Sequence, residues 1–83
     1  MNFKLTLTYL NGDVKDIACV AADMVAFESH FDLSIAKLEK EVRLSHLFFL
    51  AWHAEKRAKA TTKDFDNWVL DVEGVAPVVD EKK

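Results

Sequence analysis

The residues that could do acid–base or metal chemistry are few and widely spaced. The three histidines are His30, His46 and His53. His46 and His53 share a helix face, but at a spacing of seven residues they lie about 10 Å apart along the axis. One metal ion cannot span that distance, and the chain has no His-Glu-x-x-His, paired-cysteine or calcium-loop motif. We therefore predict no metal site and no cofactor.

Nucleophilic catalysis has equally little support. Cys19 is the single cysteine, which excludes an intramolecular disulfide. It follows Ala18 in a predicted strand, where a cysteine usually behaves as a small buried hydrophobic residue. Asp23 and Glu28 are interpreted as solvated charges on a short helix. Because no nucleophile, base and orienting group come together, we expect no catalytic residue and no enzyme activity.

The charge balance argues against nucleic acid and membrane partners. The chain has 83 residues, a formal net charge of -3 and a pI of about 5.5, whereas duplex binding relies on many cations facing phosphates. Its longest apolar run, Leu47 to Trp52, is far too short to span a bilayer, and no signal-peptide core begins the chain. We expect a cytoplasmic protein.

One basic cluster departs from this acidic background. It consists of Lys56, Arg57, Lys59 and Lys63. Cations are favoured at the C-terminal end of a helix, which accounts for most of the cluster. A weak contact to RNA or to an acidic peptide is the alternative.

The N-terminal residues predict a β-hairpin. Phe3, Leu5, Leu7 and Tyr9 alternate with polar residues, as in a half-buried strand. Asn11-Gly12 is a strong hairpin signal, and a second strand is expected over 14–20. A two-residue turn places Asp16 opposite Leu7, and a turn one residue longer places Ile17 there, so two registers remain open.

The rest of the chain predicts helices. Apolar residues at helical spacing indicate a helix from about 22 to 31 or 32 and a mostly helical stretch over 34–60 with a break near 38–40. Thr61 or Thr62 is expected to cap a last helix, whose apolar face is formed by Phe65, Trp68, Val69 and Val72 and which Gly74 closes. The predicted fold is therefore α+β, with an N-terminal hairpin followed by three or four helices in a small bundle. Residues 1–74 form one domain, and 75–83 form a tail that is either extended or disordered.

The run Leu47 to Trp52 suggests that this domain has a partner. Six consecutive apolar residues cover the whole circumference of a helix, whereas a surface helix normally keeps a polar face. Either the rest of the chain covers it, or another chain or second copy binds there. The predicted protein-binding residues are Val42, His46, Phe49, Trp52 and His53. We expect Phe49→Ala or Trp52→Ala to weaken binding more than stability.

The order of several short motifs also resembles a known family. These motifs are Asp23-x-x-Ala26-Phe27-Glu28, Arg43-Leu44-x-x-Leu47, Leu50-Ala51-Trp52-x-Ala54-x-Lys56-Arg57, Thr61-Thr62, Phe65-Asp66-x-Trp68 and Val72-Glu73. Over roughly residues 23–73 the chain resembles the small tail assembly chaperones of long-tailed bacteriophages. One departure is Lys59-Ala60-Thr61, which stands where that family often has a glycine.

The resemblance implies a non-catalytic role in virion morphogenesis. Such chaperones bind and solubilise the helical tape measure protein in the host cytoplasm before the tail tube polymerises around it. Two alternatives remain open: a small phage regulatory or inhibitory protein that binds a host protein, and a structural homo-oligomer.

Overall fold

The computed structural model describes residues 3–34 and 43–78. Their elements, in chain order, are β1 (Phe3–Tyr9), β2 (Val14–Cys19), α1 (Ala21–Phe31), α2 (Leu44–Arg57), the short helix α3 (Phe65–Trp68), a 3-10 turn (Val69–Asp71) and β3 (Val72–Pro77). None of the helices in these two ranges is long and apolar enough to cross a membrane.

The predicted helical bundle is wrong, although the chain is α+β. The strands form one antiparallel sheet in the order β2-β1-β3, so β1 has a partner on each side. Helices α1 and α2 pack on one face of this sheet and contact each other there. The bundle prediction failed because it left out β3, which widens the hairpin into a surface large enough to carry both helices.

Strand β3 replaces the end of the predicted last helix. Only Phe65–Trp68 is α-helical, and a 3-10 turn then leads into the strand. The predicted N-cap at Thr61 or Thr62 is wrong, because the cap is Asp64, whose Oδ1 accepts from the Asn67 N–H at 3.1 Å. Gly74 lies within β3, opposite Thr8 of β1, and does not cap a helix. The strand crosses the boundary predicted after Gly74, so the sheet includes residues from both sides of it. Residues 79–83 of the predicted tail lie outside the described residues.

The hairpin adopts neither of the two registers considered from the sequence. Leu5 pairs with Ile17, and Leu7 pairs with Lys15. The extra loop residue is added before Asn11 and not after Gly12, so Asp13 closes the hairpin through its carbonyl, which accepts from the Tyr9 N–H at 2.8 Å. Gly12 has a φ of 99°, a conformation that side chains with a Cβ disfavour. This register places the Lys15 side chain on the helix-covered face.

The core lies between that face and the helices. In β1 the buried Leu5 and Leu7 alternate with the half-buried Thr6 and Thr8, as the sequence predicted, and in β2 the buried Ile17 and Cys19 flank the exposed Ala18. The buried apolar residues are Leu5, Leu7, Ile17, Cys19, Met24, Phe27, Leu47, Phe49, Leu50, Ala51, Ala54, Trp68 and Val72. Both aromatic and aliphatic members of the Leu47–Trp52 run are therefore covered by the rest of the chain on most sides.

Both long helices end in left-handed residues. Asp32 (φ 56°) ends α1 where the sequence predicted, and Lys59 (φ 63°) follows α2. After α2, the Lys59 N–H donates to the Lys56 carbonyl at 3.0 Å and the Ala60 N–H donates to the Glu55 carbonyl at 2.8 Å. These two bonds form a Schellman motif, in which glycine is the usual left-handed residue. Lysine therefore replaces glycine at this helix end. The predicted helical break near 38–40 lies outside the described residues.

Candidate functional site: the Trp52 surface

Phe49 is the centre of an aromatic cluster between α1, α2 and α3. The ring is only 5% exposed. The His30 ring stacks on it with a centroid distance of 4.6 Å, and the rings of Phe31, Trp52 and Phe65 lie at 5.4, 5.7 and 6.3 Å. A ring with this many neighbours stabilises the fold whether or not a partner is bound.

The five residues predicted to bind a partner have different environments. Phe49 and His46 are buried, the latter against the rings of Phe27 and Phe31 of α1. Trp52 and His53 are half-buried and reach solvent. Val42 lies outside the described residues. Because the Phe49 ring is buried, we expect Phe49→Ala to reduce stability more than partner binding, which reverses the expectation from the sequence. Only Trp52 and His53 of the set are available to a partner in the described fold.

Trp52 is held in a fixed orientation at the surface. Its indole Nε1 donates to the Lys63 carbonyl at 2.9 Å, which ties α2 to the loop before α3. The Phe65 ring meets it edge-on at 5.8 Å, and Lys56 Nζ lies 5.2 Å from the indole centroid. We define the Trp52 surface as Trp52, His53, Lys56 and Phe65. It combines the half-buried rings of Trp52 and Phe65 and the half-buried imidazole of His53 with one cation, Lys56.

His53 is positioned by Asp23, and the interpretation of Asp23 as a solvated charge is wrong. Asp23 is fully buried at the start of α1, and its Oδ1 lies 2.6 Å from His53 Nδ1. Arg57, one turn after His53, donates to the same carboxylate at 3.2 Å from Nε and 3.0 Å from Nη2. The Val20 N–H donates to it at 2.9 Å. These bonds join the start of α1 to the last turns of α2.

The Asp23 carboxylate is stabilised in its charged form. Burial alone raises the pKa of Asp23, but the hydrogen bonds from Arg57, the Val20 N–H and His53 outweigh it and hold the pKa below its ordinary value. A buried charge with this many donors fixes the geometry of its neighbours. The orientation of His53 at the Trp52 surface is therefore set from beneath by Asp23.

A second buried carboxylate, Glu55, links α2 to the sheet. It is 3% exposed, and it accepts from Lys15 Nζ at 2.6 Å, from Trp68 Nε1 at 3.2 Å and from the Tyr9 hydroxyl. Burial raises the pKa of Glu55, but these donors lower it below its ordinary value. Burial together with the Glu55 charge raises the pKa of Tyr9. This network explains why Lys15 occupies the helix-covered face of β2.

A shallow cleft of about 310 Å³ opens beside the Glu55 network, lined by residues that include Tyr9, Thr61, Lys63 and Asp71. Lys63 Nζ bonds the Asp71 carboxylate at its edge. Lys63 and Asp71 are thus engaged with each other, and Glu55 is engaged with Lys15. That pairing makes the cleft a stabilising feature of the fold and a weaker candidate binding site than the Trp52 surface.

Cys19 has the properties of a core residue. Its side chain is fully buried, and its thiol lies 3.8 Å from the Leu50 carbonyl. Burial, and then the charge of Asp23, raise the pKa of Cys19 to about 12, so the reactive thiolate is scarce at neutral pH. Across residues 3–34 and 43–78, no three His, Cys, Asp or Glu side chains are grouped closely enough to hold a metal ion.

Sequence reasoning missed Asp23, Arg57 and Glu55 as positioning residues. A signal was present for Glu55, because it continues the buried positions Leu47 and Ala51 at intervals of four residues. A carboxylate on an otherwise apolar stripe predicts a buried partner. No comparable signal joins Asp23 to Arg57, since they are 34 residues apart and meet only in the fold.

No protein-family model, curated protein or solved structure matches this chain.

Proposed function

We propose that this chain is a non-catalytic protein-binding domain, and that its Trp52 surface binds the apolar face of a helical partner. The main support for this proposal is the pair of half-buried rings of Trp52 and Phe65, which pack edge-to-face at the surface with a centroid distance of 5.8 Å. Tryptophan is enriched among the residues that dominate binding energy, because its ring buries a large area for little lost conformational entropy.

The rigidity of this surface favours binding. The Trp52 ring is fixed by the Lys63 carbonyl, and the His53 ring is fixed by Asp23. Groups that are already ordered lose little entropy when a partner binds. Amphipathic helices dock in grooves through side chains spaced three and four residues apart, so adjacent rings on a helical surface suit such a partner.

We further propose the tape measure protein of a long-tailed bacteriophage as that partner. Support comes from the sequence resemblance over roughly residues 23–73, in which Trp52 and Phe65 are motif residues. A long amphipathic helix has too much apolar surface to stay soluble alone. A small domain that covers part of it, with a charged exterior of its own, keeps such a helix soluble until assembly.

Co-expression tests this proposal. The chain is expressed together with a long helix-forming protein encoded beside it, and the soluble fraction of that protein is measured. We expect the wild-type chain to raise the soluble fraction and Trp52→Ala to abolish the effect. Val14→Ala is the matched control, because Val14 is 65% exposed on the sheet face away from the helices.

Two results contradict the proposal. The first is an unchanged soluble fraction with the wild-type chain. The second is full activity of Trp52→Ala when circular dichroism shows that the variant is folded. If no long helix-forming protein is encoded beside this chain, the proposal that the partner is a tape measure protein is contradicted, whereas the proposal of a helical partner is not.

A homo-oligomer is a second candidate, and the outer side of α1 favours it. Val25 is 63% exposed, and Ala21 and Ala22 beside it are also exposed. The first half of helix α1 therefore presents apolar side chains to solvent, whereas its second half presents Glu28, Ser29 and His30. Sedimentation velocity over a range of concentrations distinguishes the two: a second copy bound through α1 gives a concentration-dependent mass that Val25→Glu reduces to the monomer.

A further inference from the structure

The basic cluster after the middle of α2 is only partly neutralised. Residues 56–63 contain four cations and no carboxylate. Two of the cations are paired, Arg57 with Asp23 and Lys63 with Asp71. Lys56 and Lys59 are exposed and have no ion-pair partner among the described residues. The charge of these two lysines is therefore available to another molecule.

Lys59 occupies a position where lysine is unfavourable for the backbone. Its φ of 63° lies in the left-handed region, which costs an ordinary residue about 1 kcal/mol or more and glycine little. The helix dipole favours a cation at this helix end, but the left-handed backbone itself favours glycine. A side chain kept at a strained position is a sign of function when it is exposed and charged.

Lys56 brings positive charge directly to the Trp52 surface. Its Nζ lies 5.2 Å from the Trp52 ring centroid, so a group that packs beside it on the indole lies close to the ammonium. A partner with a carboxylate beside its apolar side chain gains an ion pair there. A partner with a lysine or arginine at that position is repelled.

We propose that the Trp52 surface selects a partner helix that carries carboxylates beside its apolar residues, and that Lys56 and Lys59 are the selecting residues. This inference rests on the proposed function of the same surface. A peptide is favoured over nucleic acid because Asp64 and Asp66, both exposed, flank Phe65. A phosphodiester chain carries charge at every nucleotide and cannot avoid them, whereas a peptide places its carboxylates individually.

Titration with two synthetic peptides of equal length tests the inference. Both are amphipathic helices with identical leucine and phenylalanine positions. One has glutamates flanking the apolar face, and the other has lysines. The full chain is compared with Lys56→Gln, Lys59→Gly and the double variant. Lys59→Gly suits the left-handed backbone, and Lys4→Gln is the control at an exposed lysine on the far side of the sheet.

We expect the glutamate peptide to bind more tightly than the lysine peptide. Lys56→Gln and Lys59→Gly should each lower the affinity for the glutamate peptide about two- to fivefold. The double variant should lose the preference, and Lys4→Gln should keep it. Equal affinity of the two peptides, with binding still lost in Trp52→Ala, would overturn the selection by charge and leave the Trp52 surface intact. Binding of neither peptide would overturn both proposals, and tighter binding of a single-stranded oligothymidine would replace the acidic helix with nucleic acid.

Discussion

Truncation of Phe49 should destabilise this domain far more than truncation of its neighbour Trp52. Phe49 is 5% exposed and is contacted by rings from three helices, so Phe49→Ala leaves a cavity that costs about 3–5 kcal/mol. A chain of 83 residues has a total stability of roughly 4–12 kcal/mol. The substitution therefore removes a large part of the total, and the melting temperature should fall by more than about 12 °C.

Trp52→Ala should lower the free energy of unfolding less than Phe49→Ala does. The variant loses one hydrogen bond, to the Lys63 carbonyl, and the ring contacts of a half-buried indole, together about 1–3 kcal/mol. Phe49→Leu keeps most of the apolar volume and should lose roughly 1–2 kcal/mol. Urea denaturation followed by far-ultraviolet circular dichroism measures all three variants on one scale. A smaller loss in Phe49→Ala than in Trp52→Ala would refute the assignment of Phe49 to the core.

Three further outcomes are expected. Lys59→Gly should raise the free energy of unfolding by about 1 kcal/mol, since glycine adopts the left-handed backbone without strain; an unchanged or lower urea midpoint would contradict this. The pKa of Asp23 and that of Glu55 lie below the ordinary values of 3.8 and 4.5, so the stability that these carboxylates contribute is present at neutral pH and is lost as the pH falls through and below those values. Asp23→Asn and Glu55→Gln should each make the free energy of unfolding less dependent on pH in the acid range. An unchanged dependence would argue against a lowered pKa. Cys19, with its pKa raised to about 12, should react with a thiol reagent at pH 8 only after addition of denaturant, and rapid reaction of the native chain would contradict its burial.

The parts of the fold that depend on local pattern could be predicted. The alternation of Leu5 and Leu7 with threonines specified a half-buried strand, and both leucines are fully buried. The spacing of Val20, Met24, Phe27 and Phe31 predicted the inner face of α1. Met24 and Phe27 are buried and the helix ends at Phe31 as expected, whereas Val20 is exposed and precedes the helix. In each case the residues that form the pattern lie within one element, so the period alone carries the information.

Strand β3 could not be predicted in the same way. Its sequence contains Gly74 and Pro77, both of which weaken a strand signal. The strand forms because β1 offers a free edge more than 60 residues earlier in the chain. Pro77 is tolerated because it is the last residue of an edge strand. The preceding Phe65, Trp68 and Val69 also fit a helical period, which concealed the change from helix to strand.

The hairpin register could not be predicted for a related reason. The sequence analysis considered only Asp16 and Ile17 opposite Leu7, and hydrophobic patterning gives no reason to place a lysine on the covered face. Lys15 occupies that position because Glu55 of α2 accepts its ammonium at 2.6 Å. An ion pair between a half-exposed lysine and a buried carboxylate, 40 residues apart in sequence, leaves no trace in either local pattern. For the same reason, the sequence did not predict the hydrogen bond between Asp23 and His53, which are 30 residues apart; this bond fixes one ring of the Trp52 surface.

The most direct test of the account is to map the contact surface by nuclear magnetic resonance. Backbone amide shifts of the isotopically labelled chain are recorded while the glutamate-flanked amphipathic peptide is added. We expect the largest changes over residues 52–56 and 63–66, and none at Thr6 or Val14 on the open face of the sheet. Changes confined to that open face or to the outer side of α1 would contradict the central claim that the Trp52 surface is the binding site.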